Sequence, residues 1–216
     1  MAASRVRFLE AGYYRPLADA LVQMLAPYAG GCLAETGCGW GYYLDAVARA
    51  YPWESVFGTD LSKFAVRVGA KRNKSIAYAV ANSFRLPYAD GAVDVLMNIF
   101  APVATQEFAR VVADDGILAV VTPGQWHLRE IKTALYGDTV YPNPPAEDLP
   151  APWQKVAERS IEFCVQAPQE IMQDWIAMTP YCYTTRPEDI RRMIDDWQEK
   201  PVTCAFCLRL FRREKR

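Results

Sequence analysis

A glycine-rich run, Glu35-Thr-Gly37-Cys38-Gly39-Trp-Gly41-Tyr42, stands where an apolar strand gives way to a helical pattern. Glycines at such a junction let the backbone turn sharply and come close to a ligand. The helix start behind them presents free amide hydrogens. A tight structural turn is the plain alternative. Asp60 ends the following strand, where a carboxylate can accept both hydroxyls of a ribose. Read only as a loop cap before Ser62, it would leave its pairing with the glycine turn unexplained. The dinucleotide fingerprint has a different glycine spacing from Gly37-x-Gly39-x-Gly41, and Glu35 would repel a pyrophosphate. An acid there suits a ligand with a cationic amine and a sulfonium, and S-adenosylmethionine (SAM) is such a ligand. The third landmark is Asn82-Ser83-Phe84-Arg-Leu86-Pro87. Asn82 can hydrogen-bond an adenine edge while Phe84 or Leu86 packs on its face; for Leu86-Pro87 an ordinary loop anchor is the alternative.

These landmarks need a scaffold that places them at successive strand ends on one side of a sheet, where open α/β proteins bind ligands. Short apolar runs alternate with helical-period segments, the pattern of such a sheet. Strands are expected at Cys32–Glu35, Ser55–Asp60, Ile76–Val80, Val93–Ile99 and Ile117–Val121, each apolar on both faces as covered parallel strands are. An opening helix is expected over Pro16–Leu25, within an N-terminal helical segment 1–30. Tyr141-Pro-Asn-Pro-Pro145 through Pro152 breaks regular structure, giving an irregular connection over 137–159. Beyond it come a strand at Ser160–Val165, helices near Pro168–Met178 and Pro187–Trp197, and a last strand at Val202–Phe211. Pro168 and Pro187 are expected in the first turns of their helices. The reading is α/β: a single domain over 1–216 with seven strands in one sheet.

Composition narrows the function classes. The 216 residues are 51% hydrophobic and 23% charged, ample for a folded core. Apolar runs long enough to cross a membrane are absent from the sequence, and the start does not read as a signal peptide. A net charge of −1 gives a nucleic-acid partner no help overall, though a local basic patch stays open. Arg67, Lys71, Arg72 and Lys74 form one cluster, and Arg209, Arg212, Arg213, Lys215 and Arg216 another; solvated faces and a fraying terminus are the plain explanation. The six cysteines are scattered, which favours reduced thiols and a cytoplasmic location. Cys204-x-x-Cys207 lies in a strand, pointing to opposite faces, so no metal site is expected.

Glu35-x-Gly-Cys-Gly-x-Gly, Asp60 and Leu86-Pro87 resemble the class I SAM-dependent methyltransferases. More narrowly, Phe8-Leu-Glu-Ala-Gly-Tyr-Tyr14-Arg-Pro-Leu17 and Gly37-Cys-Gly-Trp-Gly-Tyr-Tyr43 resemble the 23S ribosomal RNA (guanine-N1)-methyltransferases. So do Asp60-Leu-Ser-Lys63, Ala70-Lys-Arg72, Ala101-Pro102, Arg110-Val-Val112, Thr122-Pro-Gly-Gln-Trp-His127-Leu and Met178-Thr-Pro180. The resemblance covers nearly the whole chain. It implies a Rossmann-like seven-stranded, mostly parallel sheet with the last strand antiparallel and helices on both faces. Two departures stand out: members of that family begin with a cysteine-rich zinc module that this sequence lacks, and Trp40 replaces a common Glu.

The residues expected to meet SAM are Tyr14, Glu35, Gly37, Cys38, Gly39, Gly41, Tyr42, Asp60, Leu61, Asn82, Ser83, Phe84 and Asn98. Methyl transfer is an in-line displacement that the protein mostly positions. A guanine N1 acceptor must also lose a proton, and His127, with an ordinary value of about 6.5, is the candidate base. A structural histidine bonded to backbone is the alternative. Phe100 and Trp126 are expected as walls of an acceptor pocket, able to sandwich a planar base. Three functions compete: methylation of a guanine in rRNA, methylation of a small molecule or other acceptor, and SAM binding without catalysis by a partner protein. Whether the chain pairs as a homodimer is left open.

Overall fold

The interior strands form because their residues are apolar on both faces and can be buried between helices. In the computed structural model, which describes residues 2–137, 140–166 and 168–215, β1 (Cys32–Thr36) and β4 (Val93–Ile99) are almost wholly buried, and β5 (Val112–Pro123) is buried over residues 116–121. With β2 (Ser55–Asp60), β3 (Ala77–Val80), β6 (Trp153–Gln166) and β7 (Pro201–Arg213) they make a seven-stranded sheet ordered β3-β2-β1-β4-β5-β7-β6. The first five strands run parallel, and the β5-β7-β6 end is antiparallel. Helices flank the sheet: α2 (Arg15–Leu25), α3 (Tyr42–Ala50), α4 (Lys63–Arg72) and α5 (Thr105–Val111) sit between successive early strands or before them.

The strand order reverses at β1, which pairs with β2 on one side and β4 on the other. That reversal opens a crevice at the carboxyl ends of the two strands. Thr36 and Asn98 face one another there as register partners. Beneath it lies a core of Ala34, Leu96, Phe108, Leu118 and Val120, all essentially inaccessible. Truncating such a side chain to Ala costs about 2–5 kcal/mol, so the floor of the crevice is stiff.

Several sequence expectations change. A helix α1 (Ala2–Glu10) precedes the expected opening helix, and α6 (Arg129–Tyr136) and α8 (Tyr181–Thr184) are additional. The expected covering of every strand fails at β3, which is largely exposed because it is an edge with a partner on one side only. β6 begins at Trp153, so the irregular connection ends before 159; β6 is the other edge and tolerates the polar residues that masked its first half. Pro168 caps α7 (Gln169–Ala177) from outside, whereas Pro187 opens α9 (Pro187–Asp195) as expected. Arg216 and residues 138–139 of the connection lie outside the described residues.

The chain divides into two compact units. One comprises Leu17–Thr122, Ala146–Ser160 and Cys207–Arg216; it holds the crevice. The other comprises Met1–Pro16, Pro123–Pro145 and Ile161–Phe206. The latter is tied internally by Arg7, whose guanidinium donates to the Asp174 carboxylate at 2.5 and 2.7 Å.

Candidate methyl-donor site

The glycine turn leaves β1 with Gly37, Gly39 and Gly41 all in the left-handed region. The three differ in what a side chain would meet. A Cβ on Gly37 would lie 2.6 Å from that of Ala101, and one on Gly41 would lie 2.1 Å from the Tyr78 hydroxyl. A Cβ on Gly39 would meet nothing within 4 Å among the described residues beyond its chain neighbours. Packing therefore accounts for the first and last glycine, while Gly39 faces open space that a ligand can fill.

Asp60, at the end of β2, is fixed against that turn. Its Oδ2 accepts the Gly39 amide at 2.8 Å and its Oδ1 accepts the Ser62 amide at 2.7 Å. A carboxylate offers about four lone-pair sites, so both oxygens keep capacity for further donors such as sugar hydroxyls. The Cys38 amide donates to the Thr59 carbonyl at 3.0 Å, stitching the turn to β2 a second time. Burial, reinforced by the Glu35 and Asp60 carboxylates, pushes the Cys38 thiol well up and keeps it protonated. Its side chain packs inward, leaving the backbone of Cys38 as the part that borders the turn. Glu35 is 1% exposed, and its carbonyl accepts the Thr59 hydroxyl at 3.4 Å.

Leu61 and Phe84 are 69% and 62% exposed, two large apolar side chains at the ends of neighbouring strands. Exposed apolar surface beside polar groups is what a planar, partly polar ligand can cover. The segment carrying Phe84 is held firmly. Asn82 Oδ1 accepts the Phe84 amide at 3.0 Å, and Ser83 Oγ accepts the Thr36 hydroxyl at 2.8 Å. Farther along, Glu107 accepts the Leu86 amide at 2.6 Å and is itself gripped by Arg110. The same guanidinium reaches the carbonyls of Leu86 and Tyr88 at 3.1 and 2.8 Å and the Asp90 carboxylate at 2.8 Å. This bracket lies outside the expected site; its sequence signal is the Glu107-x-x-Arg110 spacing on α5.

At the end of β4, Asn98 is wholly buried; its amide nitrogen donates to the Pro102 carbonyl at 3.2 Å and its Oδ1 has no hydrogen-bond partner among the described residues. Buried acceptors are rarely left so, and this one can take a further donor. Phe100 has φ 54°, a strained value for a side-chain-bearing residue, and its amide donates to the Val121 carbonyl at 3.1 Å. Its ring lies 6.4 Å from that of Tyr43. Tyr42, in the first turn of α3, stacks edge-on between Trp40 at 5.6 Å and Tyr43 at 5.0 Å.

Tyr14, Trp126 and His127 belong to the other unit. Tyr14 is buried, its ring 5.1 Å from Phe206 and its hydroxyl accepting the Trp175 indole N–H at 3.0 Å. The His127 turn is anchored to β7: Gly124 donates to the Ala205 carbonyl at 2.7 Å, Leu128 to that of Thr203 at 2.8 Å. His127 Nδ1 accepts the Ala205 amide at 3.3 Å, and its ring lies 4.6 Å from Phe206. Burial, with Lys132 adding repulsion, pushes its value down to about 3. The imidazole is therefore neutral at physiological pH and a weak base. Trp126 beside it is 39% exposed. Asn143 of the proline-rich connection braces this turn, donating to the Gly124 carbonyl at 2.7 Å and through its amide to that of Gln125 at 2.8 Å.

Residues 34–124 match a methyltransferase-domain family model. Over 202 residues the chain is 30% identical to a 23S rRNA (guanine(748)-N(1))-methyltransferase of Streptomyces fradiae, covering 90% of this chain and 72% of that protein. Over 232 residues it is 32% identical to a protein of Micromonospora griseorubida assigned as a 23S rRNA (guanine-N1)-methyltransferase, covering 98% and 78%. Among solved structures, geranyl diphosphate methyltransferase in complex with SAM shares the fold at a TM-score of 0.54 and 15% identity, covering 92% of this chain and 84% of that one.

Proposed function

Because the chain belongs to the 23S rRNA (guanine-N1)-methyltransferase family and is a methyltransferase, we propose that it carries a methyl group from SAM to N1 of a guanine in 23S rRNA. The observation that carries the donor assignment is Gly39, which has open space over its Cα while its amide is clasped by Asp60. SAM supplies an electrophilic methyl on a sulfonium. Asp60 would accept its ribose hydroxyls, Leu61 and Phe84 would flank its adenine, and Asn98 Oδ1 would accept from its ammonium. The Glu35 carboxyl, buried beneath the turn, would suit a cationic ligand. Tyr42, Cys38 and Ser83 shape the walls, and Gly37 and Gly41 hold the turn closed.

On the acceptor side, Phe100 is the aromatic group proposed to meet the guanine; Trp126 belongs to the other unit, where Tyr14 backs the His127 turn. The weak basicity of His127 supports a positioning role for it over a role as base. A cytoplasmic setting follows from an rRNA substrate and fits six free thiols; no helix among the described residues is long and apolar enough to cross a membrane.

Tritiated methyl transfer to unmodified 23S rRNA tests the reading, with the product mapped by the reverse-transcription stop that N1-methylguanine causes. Label in rRNA with a stop at one guanine is the expected result. Label only in a small-metabolite pool would move the acceptor to another class. Calorimetric SAM binding with no label in any acceptor would leave a binding protein.

A further inference from the structure

Between Asp60 and Asp90 the chain has no carboxylate, yet this stretch holds six of its 24 cations. Three of them, Lys63, Arg67 and Lys71, stand four residues apart on α4 and are all exposed. Successive members of such a row share one helix face about 6 Å apart along the axis. None of the three has a carboxylate within ion-pair distance among the described residues. Lys74 prolongs the row, and its ammonium donates to the Ala70 carbonyl at 2.6 Å.

Much of this arrangement works against the helix that carries it, although Lys71, in the last turn, suits the dipole. Like charges at i and i+4 destabilise a helix by about 0.2–0.5 kcal/mol per pair. A cation in the first turn also opposes the helix dipole, and α4 has Lys63 there with no acid to offset it. Local choices that oppose their own element are characteristic of functional surfaces. The second basic cluster of the chain is different in kind. Arg213 is buried against the Val112 carbonyl and Asp114, Lys215 pairs with Asp115 at 3.0 Å, and Arg209 is bound to the Glu147 carbonyl. Those cations hold β7 and the strands beside it; the α4 row has no such structural employment.

The row also has a neighbour suited to nucleic acid. Phe64, next to Lys63, is 54% exposed, and α4 starts directly after Asp60-Leu61-Ser62 of the candidate donor site. Exposed aromatics beside basic rows are the usual equipment for single-stranded RNA, where cations track phosphates and rings stack on bases. We propose that the exposed face of α4, through Lys63, Arg67 and Lys71 with Phe64 at its head, is a docking surface for the phosphate backbone of the RNA substrate. It rests on the rRNA reading above and adds to it the surface that grips the strand outside the reacting base.

The test is the full-length K63Q/R67Q/K71Q variant, read by binding to an unmodified 23S rRNA transcript across a salt series and by calorimetric SAM binding. Each phosphate contact adds about 0.7–0.9 to the slope of log K against log salt, so the variant's slope should fall by about two to three. Its SAM affinity should stay at the wild-type level. K63R/R67K/K71R should keep the wild-type slope, which guards against a folding artefact, and Phe64→Ala should weaken binding without changing the slope. The solvent-exposed Arg212, replaced by Gln, should leave RNA binding unaltered. If wild type methylates 23S rRNA and the triple Gln variant binds it with the same slope, the docking surface is wrong and the rRNA reading survives. If wild type binds SAM but neither binds nor methylates the transcript, both readings fall.

Discussion

Asp60 grips the Gly39 amide at 2.8 Å from one strand further along, so the carboxylate that would take the ribose also shapes the turn that would take the rest of the donor. Its second oxygen also accepts the Ser62 amide at 2.7 Å, just before α4 begins. Asp60→Ala removes both anchors and the acceptor for sugar hydroxyls. Charge-assisted hydrogen bonds are worth about 1.5–3 kcal/mol, so the SAM dissociation constant should rise by about 10- to 150-fold in calorimetry. A dissociation constant equal to that of wild type would remove Asp60 from the site.

Gly37 and Gly39 should separate stability from binding. Gly37→Ala drives a Cβ to 2.6 Å from that of Ala101, so its chief effect is a lowered melting temperature. Gly39→Ala meets nothing within 4 Å among the described residues beyond its chain neighbours. It carries only the left-handed backbone penalty, about 1–2 kcal/mol, while its methyl enters the space proposed for the donor. SAM binding should therefore be lost in Gly39→Ala at temperatures where the protein is still folded. Full SAM affinity in that variant would place the donor elsewhere.

The Glu107–Arg110 bracket should couple pH to the order of the segment bearing Asn82 and Phe84. Hydrogen bonds from Arg110 chiefly, opposed by burial and aided by the Leu86 amide, hold the Glu107 carboxyl below its ordinary 4.5. A carboxylate depressed in the folded state stabilises above its unfolded value and loses that contribution as pH falls through the folded one. Wild-type stability should therefore drop more steeply below about pH 4.5 than that of Glu107→Gln. Arg110→Met should cost about 1–3 kcal/mol and weaken SAM binding by roughly 3- to 10-fold, about 1 kcal/mol. Equal acid sensitivity of wild type and Glu107→Gln would show that the bracket carries no such load.

The elements that carry the proposed donor residues were largely readable from the chain because they are local. Glu35 to Tyr42 lie in one turn, and Asp60, Leu61 and Phe84 follow the two adjacent strands, so periodicity and glycine spacing suffice to align them. Edge strands were less readable, since β3 and β6 are each paired on one side and carry polar residues that break the apolar run. The bounds of α1 within the N-terminal helical segment were not readable because its anchors are remote: Arg7 meets Asp174 across 167 positions of sequence. The environment of His127 was equally hidden, being set by Ala205 and Phe206 on the last strand. A lone histidine after a strand looks the same in sequence whether it faces a substrate or a backbone amide.

That hidden environment makes His127 the sharpest test on the acceptor side. With Nδ1 taken by the Ala205 amide and burial holding the value at about 3, the folded ring stays neutral while an unfolded one protonates near 6.5. Between those two values the unfolded state binds more protons, so stability should fall as pH drops from 6.5 toward 3. His127→Asn should flatten that decline, because its carbonyl oxygen can accept the same amide without titrating. His127→Ala leaves the Ala205 N–H without an acceptor and should cost about 1–3 kcal/mol. For turnover, the positioning role predicts that His127→Asn keeps kcat/KM within a few fold and that no ionisation near 6.5 governs the wild-type profile. A wild-type break near neutral pH that vanishes in His127→Asn, with turnover lost, would instead make the imidazole the group that takes the guanine proton.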